Sequence, residues 1–311
     1  MVVATSLEFD MKLPKIFVSG LLMLPALASA ELQVVVLEGL GGEYRYAEQF
    51  AAQVSAIEAA ASALTSDDRV QVFRSGDYSR DAVVDFFAEL DDRMQADDRL
   101  ALFLIGHGSY DDHEYKFNIA GPDLTDSDLS ELLDDMPGSN QLIVNTSSSS
   151  GAILELLQRD DRTLILATRS GVERHATRFG NYFVAALSSD SADIDKNRIV
   201  TAEEAFQFAD RQVSDYFERN GQLATEHPQI DGSQAARFGL ARLGTQAPVT
   251  SDAELRRLVA MRDALNSDIE GLRLRRDSMT VNDYQAELLR NMLKLASLED
   301  QIEQREGELE Q

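Results

Sequence analysis

The sequence predicts an α/β fold with a mainly parallel central sheet flanked by helices, followed by a C-terminal α-helical hairpin. Three observations predict it. Apolar runs of strand length alternate with helical periodicity from Glu31 to Arg219, the pattern of a sheet covered on both faces. Two of those runs, Leu100–Ile105 and Leu142–Val144, lead into Gly106-His107-Gly108 and Thr146-Ser147-Ser148-Ser149-Ser150-Gly151. Small-residue turns of this kind sit at the carboxyl edge of parallel sheets, where ligands collect. Beyond Gln246–Thr250 the pattern changes to leucines at seven-residue spacing.

The elements follow in order. Glu31–Leu37 reads as a central strand, and Gly39-Leu40-Gly41-Gly42 turns it into a long Ala-rich helix through about Leu64. The turn matches a dinucleotide fingerprint weakly, because Tyr44 stands where the third glycine belongs; a tight strand-to-helix turn is the better reading. Arg69–Phe73 is a second strand. Ser79–Met94 is a helix with Ser79 at its N-cap and Val83, Phe86, Phe87 and Leu90 on one face. After the His107 strand, Glu114–Ala120 is a short excursion, and Thr125–Leu133 a helix begun by the capping-box pair Thr125 and Asp128. The serine strand, a helix from Ala152, the strand Thr163–Thr168, a helix over Arg178–Ser188, an acidic loop and a helix over Thr201–Arg219 complete the alternation.

In the C-terminal part, Leu258, Leu265 and Leu272 repeat, with Leu255 and Ile269 between them, and Leu288, Leu295, Ile302 and Leu309 repeat in turn. Asp277–Asp283 interrupts the two runs, giving a hairpin or coiled coil of about 25 to 30 residues per arm. Thr280 with Asp283 caps the second arm, and Arg262 lies on the seam of the first. The expected role is assembly, by self-association or by taking a partner helix through residues 252–311.

Lys12 and Lys15, the apolar Ile16–Leu27 and Ala28-Ser29-Ala30 form a secretory leader with an A-x-A cleavage site. The expected organisation is a signal peptide over 1–30, an α/β domain over 31–243, a linker over 244–251 and the hairpin over 252–311. Export to the periplasm or cell exterior follows, with no membrane span left after cleavage. The 311 residues carry 54 acidic and 29 basic side chains, a net charge of −25, and no cysteine. Nucleic acid is therefore excluded as a partner, as are disulfides, a thiol nucleophile and a Cys-ligated metal.

His107 and Ser148, at the tips of two successive main strands, are a candidate base and nucleophile. Flanking glycines leave the imidazole uncrowded. The acidic loop offers a second site: Asp193, Asp195, Asn197, Thr201 and Glu204 occupy positions 1, 3, 5, 9 and 12 of an EF-hand-like loop, a calcium expectation. Arg198 stands at position 6, normally glycine, and Thr201 with Glu204 equally fits a capping box. Arg169, Glu173, Arg174 and Arg178 follow the strand ending at Thr168 and read as a substrate loop or a solvated charge cluster. Glu226-His227 has no assigned place.

The Gly-His-Gly tip and the serine turn closing on Ser150-Gly151 resemble the caspase-like cysteine peptidases, the group of caspases, metacaspases, legumains and gingipains. Their nucleophile turn commonly reads Asp-Ala-Cys-x-Ser-Gly. The resemblance covers roughly residues 32 to 240. It puts Ser148 at the cysteine, Ser147 at the alanine and Thr146 at the aspartate, with Ser147 and Ser149 as filler, and it is similar to an exported bacterial branch carrying serine there. It implies a caspase-like sandwich, a His107–Ser148 dyad, an oxyanion hole from the Ser148 and Gly108 backbone N–H groups, no required cofactor, and a peptide or protein partner. A serine hydroxyl needs a well-placed base where a thiol is already partly ionised. Three outcomes stay open: a silent homologue that binds a peptide or protein, an active Ser148/His107 hydrolase, and a scaffold acting through its hairpin.

Overall fold

A computed structural model describes residues 31–138, 140–244, 252–274, 276 and 279–309. The leader, nearly all of the linker, and Asp277 and Ser278 at the start of the turn lie outside the described residues.

Six strands form the central sheet in the order β10-β8-β7-β3-β1-β2. They are β1 (Leu32–Glu38), β2 (Val70–Phe73), β3 (Arg99–Ile105), β7 (Asn140–Asn145), β8 (Arg162–Leu166) and β10 (Gln229–Asp231). All neighbours are parallel except β10, which runs antiparallel to β8. Every residue of β1, β3 and β8 is buried, as expected of strands covered on both sides.

The two-residue side-chain period divides the core into layers. Val34, Val36, Ala101, Phe103, Ile105, Leu142, Val144 and Ile165 pack with helices α1 (Tyr44–Ser62), α5 (Phe179–Ala186) and α6 (Ala202–Arg219). Val35, Leu37, Leu100, Leu102, Leu104, Ile143, Leu164 and Leu166 pack on the other face with α2 (Arg80–Arg93), α3 (Asp126–Asp134) and α4 (Leu154–Leu157). The helices start where the caps lie: Ser79 Oγ accepts from Ala82 N, and Thr125/Asp128 and Thr201/Glu204 both form complete capping boxes.

Two small sheets go beyond the sequence reading. The excursion after His107 is an antiparallel sheet of β4 (Gly108–Tyr110), β5 (Tyr115–Phe117) and β6 (Leu124–Thr125). The pair β9 (Ile199–Thr201) and β11 (Gly239–Arg242) carries the acidic loop into α6. Strands this short show no readable alternation.

Helices α7 (Ala253–Leu274) and α8 (Val281–Leu309) pack through Leu255, Leu258, Leu265, Ile269, Leu295, Leu298 and Ile302. Arg305 grips Asp252 through two bonds of 2.6 and 3.1 Å, closing the open end. Arg262 is buried and donates to the Gly244 carbonyl at 3.2 Å. Leu309, expected on the seam, is 47% exposed, because it falls beyond the last apolar contact.

Candidate active site

The sheet register sets the two tips side by side. Strands β3 and β7 are neighbours, and their last pair is Leu104 with Asn145. His107 and Ser148 each lie three residues past that pair. Two close approaches require glycine there. A Cβ on Gly106 would come within 2.9 Å of Gly39 Cα, and one on Gly108 within 2.5 Å of Ser147 Oγ and 2.6 Å of Ser148 O.

His107 is held from the β1–α1 turn. Its ring lies near the Gly41 backbone, which favours the protonated form, and meets Tyr46 and Phe50 edge-on at 4.7 and 5.0 Å. The Gly39–Gly42 turn is thus the cradle of His107; a Cβ on Gly41 would lie 2.5 Å from Ala47 N. Burial pulls the imidazole pKa below its ordinary value, and the nearby Gly41 backbone and the Glu43 charge oppose this only in part. A lowered pKa leaves the ring neutral at pH 7, the form a base needs.

On acidification the unfolded chain takes up the proton first, so stability is lost as pH falls below about 6.5. Urea midpoints at pH 7.5 and 5.5 should differ less in His107→Gln than in the wild type; an equal difference would show that His107 does not contribute.

Around Ser148 the turn is tightly organised. Thr146 N and Oγ1 both donate to Leu104 O, at 3.0 and 3.1 Å. Ser147 N donates to Asn145 Oδ1, and Ser147 Oγ lies 2.6 Å from the Tyr115 hydroxyl, which accepts from Asn145 Nδ2 at 2.9 Å. Burial pushes the Tyr115 phenol up to about 12, so it stays a neutral bridge. Ser149 is left-handed at φ 58° and its N–H donates to Glu173 O at 2.9 Å. Ser150 Oγ accepts from Thr168 N, while Gly151 N donates to Thr168 Oγ1. Ser147 and Ser149 are therefore structural positions, which corrects their reading as filler.

Ser148 differs from its neighbours. It is only 4% exposed, and among the described residues its hydroxyl makes no hydrogen bond, to His107 or to any other group. Its backbone N–H also has no acceptor among the described residues. Gly108 N–H is free for a geometric reason. Asn118 N donates to His107 O, which makes Gly108 and Phe117 a non-hydrogen-bonded pair. In such a pair the N–H points away from the partner strand. Among the described residues, the Ser148 and Gly108 backbone N–H groups are thus both without a hydrogen-bond acceptor.

The loop after β8 closes the other side. Glu173 Oε2 accepts from Arg169 N and His227 N, both at 3.0 Å, and Oε1 pairs with His227 Nδ1 at 2.7 Å. Arg174 pairs with Asp112 of the β4–β5 hairpin at 2.9 Å, and Tyr110 packs so closely on Gly171 that a Cβ there would lie 2.3 Å from its ring. Arg178 stacks over Tyr216 at 3.7 Å. The buried Glu226 carboxylate accepts from Arg178 N and Phe179 N, capping α5. Glu226→Ala would orphan both donors and should lower stability by about 1–2 kcal/mol in urea unfolding.

The acidic loop brings Asp193, Asp195 and Glu204 within 4.8 Å of one another. Their oxygens already accept backbone bonds. Asp193 takes Asn197 N and Arg198 N, Asn197 Oδ1 takes Ile199 N, and Glu204 takes Ile194 N and Thr201 N. Arg198 adopts φ 69°, the conformation that glycine supplies at position 6. Asp193→Ala should cost about 2 kcal/mol by releasing one buried and one part-buried donor, read as a lower urea midpoint.

Neither a protein-family model nor a curated protein matches the sequence. Among solved structures the chain is similar to the crystal structure of caspase-1 from Spodoptera frugiperda, at 12% identity and a TM-score of 0.44, over 70% of this chain and 92% of that one. No described helix is long and apolar enough to cross a membrane.

Proposed function

We propose that the chain is an exported, peptidase-related protein of the caspase-like type. Its cleft receives a peptide or protein segment, and its serine is not activated for hydrolysis. The carrying observation is the contrast at Ser148. The neutral base candidate His107 is oriented by Gly41, Tyr46 and Phe50, and two backbone donors have no acceptor among the described residues, yet the Ser148 hydroxyl has no hydrogen-bonded base. A serine without such a base is a poor nucleophile at neutral pH.

A fluorophosphonate probe tests this reading on the wild type, Ser148→Ala and His107→Ala. No labelling of any of them is expected. Labelling of the wild type that disappears in both variants would establish a Ser148/His107 hydrolase instead. Export rests on the leader motif and is checked by the N-terminal mass of the secreted protein; a chain retaining residues 1–30 contradicts it. The scaffold alternative, with assembly through α7 and α8, predicts that deleting 252–311 abolishes partner capture while cleft substitutions do not.

The calcium expectation at Asp193, Asp195, Asn197 and Glu204 has its own test. Calorimetric titration of the wild type and Arg198→Gly with millimolar Ca²⁺ settles it; no heat from either protein ends it.

A further inference from the structure

A groove of about 380 Å³ runs between α2 and α3, lined in part by Val84, Phe87, Ala88, Leu132 and Met136. On α2 the spacing is Asp81, Val84, Ala88, Asp91; on α3 it is Asp128, Glu131, Leu132, Asp135. The α2 row is a continuous helix face, apolar at the middle and acidic at its ends; the α3 row, which runs on to the C-cap Asp135, adds Leu132 to the floor and acids to the rim. The small side chains of Val84 and Ala88 leave the depression open, and Val84 is 36% exposed. From Arg80 to Asp91 the groove extends for about 16 Å at the α-helical rise, the length of three helical turns.

The charge at this rim is not internally balanced. Arg80 is bound to Asp128 at one end. Asp81, Asp91, Glu131 and Asp135 line the same groove and form no ion pair among the described residues. Surface acids serve solubility wherever they stand. Asp81 and Glu131 also feel the Arg80 charge. But four carboxylates without an ion pair surround a floor that Val84, Ala88 and Leu132 leave accessible above the buried Phe87 and Met136. They match the face of a basic amphipathic helix, whose apolar ridge fills the groove while its flanking cations meet the rim. The charge complementarity chooses the occupant: in a chain of net charge −25, an acidic or neutral segment would gain nothing from this rim.

We propose that the α2–α3 groove docks a cationic amphipathic helix of a partner protein. This is independent of the Ser148 cleft, because the groove shares no lining residue with it. The helix would present apolar side chains at i, i+3, i+4 and i+7, with lysine or arginine beside them.

The test uses the full chain and a fluorescent helical peptide of four leucines at that spacing flanked by lysines, with a scrambled peptide of the same composition. Anisotropy should show at least tenfold tighter binding of the periodic peptide. Glu131→Lys/Asp135→Lys and Val84→Ser should each weaken it about tenfold, as should raising the salt from 50 to 500 mM for the charge contribution. Asp300→Lys/Glu303→Lys on α8 changes the net charge equally and should leave binding unchanged. Equal binding of the scrambled peptide, or equal weakening by the α8 variant, would reduce the effect to general acidity and overturn the proposal. So would a shift from dimer to monomer on Glu131→Lys/Asp135→Lys in sedimentation, which would assign the groove to a second copy of the chain.

Discussion

Ser148→Cys is expected to create peptide hydrolysis where the wild type has none above background. The substitution exchanges a single side-chain oxygen for sulfur. A thiol is a few per cent ionised at pH 7 and strongly nucleophilic, whereas the serine hydroxyl requires a base in hydrogen-bonding contact, which it lacks here. On this expectation the Ser148 and Gly108 N–H groups, which have no acceptor among the described residues, serve as the donors for a developing oxyanion, the kind of contribution that is usually largest in rate. A gain of two to four orders of magnitude corresponds to about 3–5 kcal/mol of barrier. A fluorogenic peptide library measures it, because no side chain identifies the preferred residue. Hydrolysis that persists in Ser148→Cys/His107→Ala would remove His107 from the account.

Gly108→Ala is expected to disrupt the same site by force. The new methyl group would lie 2.5 Å from Ser147 Oγ, 2.6 Å from Ser148 O and 2.8 Å from Tyr115 Cε2. Two of these belong to the serine turn and the third to a wholly buried ring, so none is a flexible tip that can swing away. Overpacking of this kind costs about 1–3 kcal/mol, a Tm drop of several degrees. Since the turn must shift to admit the methyl group, Gly108→Ala introduced into Ser148→Cys should also erase its hydrolysis. A thermal melt with unchanged Tm, or hydrolysis retained in the double variant, would refute the close approach of Gly108 to the serine turn.

What the sequence made legible was local and strongly patterned. Leu100–Ile105 and Leu142–Val144 are uninterrupted apolar runs, and their burial on both faces follows directly. Thr125 with Asp128 and Thr201 with Glu204 are three residues apart, so both capping boxes can be read without tertiary information. The His107 and Ser148 tips could be placed because a parallel sheet aligns its carboxyl ends. The cradle of His107 could not be read, because Gly41, Tyr46 and Phe50 lie far upstream in the chain. They reach the ring only after β1 inserts beside β3.

Glu226 and His227 show the same limit. Their partners are Arg178 N and Phe179 N in one case and Glu173 in the other, and the antiparallel pairing of β10 with β8 brings them together. Ser147 and Ser149 look interchangeable in a run of four serines. Packing separates them: one meets the Tyr115 hydroxyl, and the other turns left-handed under the Glu173 carbonyl.

The most direct measurement of the central proposal, that His107 is a competent base which the Ser148 hydroxyl does not engage but a thiol in its place would, is the alkylation rate of Ser148→Cys by iodoacetamide between pH 5 and 9. The account predicts rapid alkylation at pH 7 that slows at least tenfold in Ser148→Cys/His107→Ala, with the apparent thiol pKa returning toward about 8.5. Identical rates and identical pH profiles for the two proteins would contradict it.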